Sequence, residues 1–176
     1  FGHSAHVSVD GLNNATVIGA LATVSTSNTM SFGNGNVNQW AFGISTPTAG
    51  THALEVGSGA GNGNGAYLTN GGTWTNTSDY YKKEDFTNLN GNDLLQKIKQ
   101  LSIQRWKYKG SNEYHIGPYA QQFKQLFNVG TDDKSISSID PAGISLAAVK
   151  ELIAIAEKQQ AMILDLQKRI HVLDKR

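Results

Sequence analysis

A serine and two lysines stand within six residues of one another in the stretch Trp74-Thr75-Asn76-Thr77-Ser78-Asp79-Tyr80-Tyr81-Lys82-Lys83. A serine hydroxyl is a poor nucleophile until a base takes its proton, and a lysine amine serves as that base once desolvation lowers its pKa from about 10.4. A turn between Ser78 and Lys83 brings hydroxyl and amine within hydrogen-bond reach. The chemistry on offer is attack by an activated hydroxyl on a carbonyl. Serine followed closely by lysine is common, so the pair by itself leaves an ordinary structural turn open as well.

Other chemistry is thinly represented. Asp10 and Glu55 are the only carboxylates in residues 1–77, too few to build a glycosidase pair there with conviction. His3, His6, His52, His115 and His171 are scattered without ligand spacing, and only His3 with His6 suggests a weak surface site. With no cysteine, a disulfide scaffold, a thiolate zinc site and thiol catalysis are excluded. No cofactor or metal is expected.

The elements that must hold Ser78 and Lys83 come from two differently composed stretches. All 15 lysines and arginines lie at or after Lys82, whereas 14 of the 19 glycines precede residue 78. The net charge of +1, without a cationic cluster interleaved with aromatics, argues against a nucleic-acid groove. No apolar run approaches the ~20 residues of a membrane-spanning helix, so no membrane insertion is expected. The chain opens at Phe1 without an initiator Met and reads as a fragment of something longer.

Residues 1–77 read as short strands between turns: 6–9, 15–18, 22–25, 29–32, 40–44 and 53–56. Asp10-Gly11, Asn13-Asn14, Asn34-Gly35, Pro47 and the glycine-rich run 57–65 break them. Each segment offers two or three inward-facing side chains, so one chain buries little and neighbouring copies must supply the rest. In NATVIGALATVSTSNTMSFGNG, apolar pairs followed by glycine recur at a spacing near fourteen residues. This phrase resembles the head repeats of YadA-type trimeric autotransporter adhesins, which implies a β-roll packed against two sister chains; the alternative is a Gly/Asn-rich linker with incidental alternation.

From Ser78 the composition becomes ordinary. Asn92, an N-cap candidate, precedes a helical pattern with Leu94, Leu95, Ile98 and Leu101 on one face, and residues 103–109 and about 113–116 read as a hairpin around Gly110. Pro118 fits the start of a helix carrying residues 119–127. From about Ser145 a helix of roughly 45 Å is predicted. Its positions Val149, Leu152, Ala156, Gln159, Ile163, Leu166, Ile170 and Leu173 are spaced alternately three and four apart, a heptad seam with one polar member. So long a helix needs partner helices, and mixed Ile and Leu over both core positions fits a parallel trimer.

The block SDYYKKEDF, followed by QRWKYKG, HIGPYAQQF, VGTDDKSISSIDPAGISLAAVKEL and the heptad helix, resembles the self-cleaving intramolecular chaperone domain that ends phage tailspikes and tail fibres. Bacterial tail-fibre-domain proteins and myelin regulatory factor carry the same domain. The resemblance covers residues 78–173, and AYLTNGGTWTNTSD is similar to the usual approach to the domain. It implies a catalytic Ser78, a supporting Asp79, Lys83 rather than Lys82 as base, and a cut between Thr77 and Ser78. It gives His115 a part in orienting a reacting group or donating to the oxyanion, although a satisfied structural histidine beside Gly117-Pro118 fits equally. Asp140 and Gly143 match a turn before the long helix.

The resulting expectation is a mixed chain: a β-rich trimeric fibre or β-roll segment (1–77), an α+β chaperone core (78–144) and a coiled-coil helix (145–176). It would form a homotrimer, take its own N-terminal fibre as client, and release itself by a single-turnover serine cut. The setting implied is a virion tail fibre or a bacterial surface or secreted fibre with a cell-surface or glycan receptor. The alternative is a trimeric cap that never cuts.

Overall fold

A computed structural model describes residues 1–47 and 50–175. Thr48 and Ala49 of the expected fibre segment, and Arg176 at the end of the expected coiled-coil helix, lie outside the described residues. The chain divides into two compact units, Phe1–Glu84 and Asp85–Arg176. The architecture is mixed, with several small sheets and one long helix.

The first unit opens with β1 (His6–Val7), β2 (Ala15–Ile18), β3 (Thr23–Val24) and β4 (Thr29–Phe32). β1 lies parallel to β3 and β2 parallel to β4, giving two coils of a roll. The spacing of about fourteen residues reappears as the register, Ala15 opposite Thr29 and Ile18 opposite Phe32, while His6 sits opposite Thr23. Side chains mark the same step: Asn14 Nδ2 donates to Asn28 Oδ1 at 3.3 Å, and Asn34 Nδ2 to the Ala20 carbonyl at 2.9 Å. Asn14 and Asn28 are both left-handed, with φ of 52° and 57°, a conformation asparagine tolerates better than most residues. Gly19 stacks on Gly33 so closely that a methyl group on it would come within 3.0 Å of the Gly33 backbone.

Between the coils lies a small core of Val17, Ala22 and Val24, backed by Ala5, Leu12 and Ala15. The opposite face carries Ile18, Met30 and Phe32 into solvent, because alternate strand residues point to opposite sides.

β5 (Trp40–Phe42) pairs in parallel with β6 (His52–Val56), again with a fourteen-residue offset, Trp40 opposite Leu54. β7 (Tyr67–Thr69) and β8 (Trp74–Thr75) then complete an antiparallel meander. These last two strands are absent from the sequence expectation. Their turn, Asn70-Gly71-Gly72 with Gly72 at φ 82°, is the signal that identifies them.

In the second unit α1 (Gly91–Gln100) is capped by Asn90, whose side chain accepts from the Asp93 N–H at 3.0 Å; the cap is therefore Asn90 and not Asn92. β9 (Gln104–Lys107) and β10 (Tyr114–Gly117) form the antiparallel hairpin, and α2 (Ala120–Phe127) buries Phe123 and stops at left-handed Asn128. Gln122 ties α2 to the end of α1, accepting from Ser102 N–H at 2.8 Å and donating to the Gln100 carbonyl at 3.1 Å.

The long helix α3 spans Ile139–Leu173, 35 residues and roughly 52 Å. It starts earlier than the periodicity indicates, so Asp140 and Gly143 belong to its opening turns and form no separate turn before it. Pro141 is accommodated because a residue in the first turn has no intrahelical partner for its N–H. α1 packs on the N-terminal part of α3, where Leu94 and Ala148 are buried and Gly91 leaves room for the Glu151 carboxylate. Beyond Glu157 every described residue of α3 is exposed, including the seam positions Ile163, Leu166, Ile170 and Leu173.

Candidate active site

After β8 the chain runs through Asn76 and Thr77 to Ser78 and then makes a single 3-10 turn, Tyr80–Lys82. Asp79 starts the turn: its Oδ1 accepts the Tyr81 N–H at 3.0 Å. Two backbone bonds close it, from Lys82 N–H to the Asp79 carbonyl at 3.2 Å and from Lys83 N–H to the Tyr80 carbonyl at 3.1 Å. One tight turn between Ser78 and Lys83 folds their side chains together. Lys83 Nζ donates to Ser78 Oγ at 2.6 Å.

Both partners of that bond are exposed in the single chain, and Thr77 is half-buried. Lys82 does not share the serine: its Nζ donates to the Ser58 carbonyl at 3.3 Å. Ser78, Asp79, Lys82 and Lys83 all belong to the first compact unit. The arrangement supplies a hydroxyl, an amine aimed at it, and the Thr77 carbonyl one peptide bond away.

His115 lies in the second unit, on β10 opposite Trp106. Its ring tilts against Trp106 at 4.8 Å and meets Tyr108 edge-on at 6.0 Å. It is part of an aromatic face beside which the buried Trp106 Nε1 has no partner among the described residues.

One polar cluster escaped the sequence reading. His52 Nδ1 lies 2.5 Å from Glu55 Oε1, Gln39 Nε2 donates to the same oxygen at 3.3 Å, and the His52 ring stacks on Tyr67 at 3.7 Å. Glu55 is the buried charged residue of the described chain, only 5% exposed. Residues three apart on a regular strand face opposite ways, but a register shift between His52 and Leu54 turns both side chains to one side. They line a cavity of about 470 Å³ with Ser58, Gly65 and Tyr67. Asp10, the other early carboxylate, sits on an exposed turn. No group of three or more metal-ligating side chains occurs among the described residues.

No curated protein and no solved structure matches the chain. Residues 78–129, beginning at the serine of the Ser78–Lys83 pair and running through α2, do match a family: peptidase S74, described as chaperone of endosialidase. Residues 78–129 are therefore similar to the chaperone-of-endosialidase domain.

Proposed function

We propose that this domain is an intramolecular chaperone that trimerises, assembles the β-rich segment ahead of it, and then frees itself by cutting between Thr77 and Ser78. The observation that carries the reading is the 2.6 Å bond between Lys83 Nζ and Ser78 Oγ. With Lys83 neutral, the same pair runs in the other direction. The amine takes the hydroxyl proton, Oγ attacks the Thr77 carbonyl carbon, and the Thr77–Ser78 amide breaks. The departing Ser78 nitrogen recovers the proton from Lys83, leaving an ester between the Thr77 acyl group and Oγ. Water then hydrolyses the ester. A nucleophile on the residue next to its own scissile bond needs no substrate pocket, because its effective concentration is already high.

Exposure of Ser78 and Lys83 in the single chain fits a cut that waits for assembly. Packing of sister chains around the turn would take the Ser78–Lys83 pair out of water. The unpartnered seam Val149, Leu152, Ala156, Gln159, Ile163, Leu166, Ile170 and Leu173, together with the outward Ile18, Met30 and Phe32, supports a parallel trimer along both halves. Interchain β-structure is slow to nucleate, and a C-terminal trimeriser offsets that cost by raising the local concentration of the fibre strands. Once the tool is cut away, the fibre loses its means of refolding and is held kinetically. The fibre would belong to a phage tail or a bacterial surface and meet a cell-surface or glycan receptor.

The same exposure also favours a second reading, a permanent trimeric cap. Denaturing mass spectrometry of freshly expressed protein separates the two. Fragments 1–77 and 78–176 in wild type, both absent from Ser78→Ala and Lys83→Ala, establish the cut. Intact wild-type chain alone refutes it and leaves the cap.

A further inference from the structure

Two adjacent lysines face different partners, and the difference carries information. Lys83 addresses Ser78, whereas Lys82 reaches back to the Ser58 carbonyl at 3.3 Å. Ser58 belongs to the glycine-rich loop 57–65, which is closed on itself. Gly65 N–H donates to the Gly57 carbonyl at 2.7 Å, Asn64 N–H to the Gly59 carbonyl at 2.9 Å, and Asn62 Oδ1 accepts the Gly59 N–H at 2.8 Å. The far end of this loop lies beside the Thr77 side chain. A methyl group on Gly65, whose φ is 79°, would come within 3.0 Å of Thr77 Oγ1 and 3.9 Å of Lys82 Nζ.

We infer that Lys82 is a positioning residue for the cleavage, clamping loop 57–65 of the fibre segment against Thr77 so that the bond is presented to Ser78 only when that loop is folded. The inference rests on the proposed cut between Thr77 and Ser78. It also bears on the glycine at 65, where a Cβ would crowd the Thr77 hydroxyl as well as meet a left-handed φ. The clamp joins the two future products: its acceptor stays with the fibre and its donor leaves with the chaperone. Misplacement by about an ångström costs such a reaction on the order of a hundredfold, so a hydrogen bond outside the reacting atoms can govern the rate.

Cell-free synthesis of the full chain, with the appearance of fragment 78–176 followed over time, provides the test. Lys82→Met is expected to slow the first-order cut about tenfold or more, and Gly65→Ala to do likewise. Lys82→Arg should stay within about threefold of wild type, because a guanidinium can donate to the Ser58 carbonyl but does not act as a base at neutral pH. Loss of the cut in Lys82→Arg would make Lys82 the base and overturn the clamp; an undiminished rate in Lys82→Met would overturn it too. A second measurement does not depend on cutting. In a Ser78→Ala background, Lys82→Met should raise amide hydrogen exchange across residues 57–65 about tenfold. Unchanged exchange there refutes the clamp even if wild type cuts, while raised exchange in a chain whose wild type stays intact upholds the clamp and sinks the peptidase reading alone.

Discussion

The carboxylate of Asp79 accepts the backbone N–H of Tyr81 at 3.0 Å, and this bond starts the turn that brings Lys83 back to Ser78. Asp79 thus contributes to the pair through the backbone. Asp79→Ala should loosen the turn by about 1 kcal/mol, the usual worth of such a cap, and slow cleavage by several-fold. Asp79→Asn keeps an acceptor at the same place and should cut at close to the wild-type rate. A time course of fragment release checks both.

The α3 seam predicts an oligomer. Leu166→Glu or Ile163→Asp puts a charge at a position that each helix would bury, at a cost of at least the 2–5 kcal/mol of a lost core side chain. Native mass spectrometry at micromolar concentration should read a trimer for wild type and a smaller species for either variant. A wild-type monomer would refute the coiled coil.

His52 and Glu55 predict a local weakness. His52→Ala leaves the buried Glu55 carboxylate short of a partner and should destabilise the first unit by about 1–3 kcal/mol, seen as a lower Tm. Exchanging the exposed Asp10 for Ala should leave Tm near wild type.

Asp132 supplies a pH dependence. Its Oδ1 accepts from Lys134 N–H, Ser135 N–H and Ser135 Oγ–H, each at 2.8 Å. These bonds, the Lys134 backbone bond foremost, hold its carboxyl below the ordinary value of 3.8. A group whose folded pKa is lowered stabilises the turn above the unfolded pKa, and that support is lost as pH falls through the folded one. The Lys134 and Ser135 amide resonances should therefore hold their positions through neutral and mildly acid pH and move below the usual aspartate range. Movement centred above that range would contradict the bonding.

Where the sequence was informative, the structure tells why. Ala15–Ile18 and Thr29–Phe32 have the bounds that alternation indicates, because the fourteen-residue step returns like residues to like places in the roll. The Ser78–Lys83 contact was legible as a possibility of spacing, since a short turn is enough to close it. Two things were not. The His52–Glu55 pair depends on a bulge, which shifts the phase of a strand without leaving a periodic trace. The start of α3 lies ahead of the heptad seam, where Asp140 and Gly143 resemble a turn, because a helix tolerates proline in its first turn and glycine at modest cost.

The step between coils has a bearing on how such a fibre can change over generations. A duplicated or deleted step of fourteen sets each residue opposite its counterpart one step away, as Ala15 lies opposite Thr29 and Trp40 opposite Leu54, and so leaves inward residues inward and outward residues outward. Length can vary in whole steps upstream of residue 57 without altering a single residue from Ser58 to Lys83. Under the proposed function, reach and release would then be inherited separately, and one cutting domain would serve fibres of many lengths.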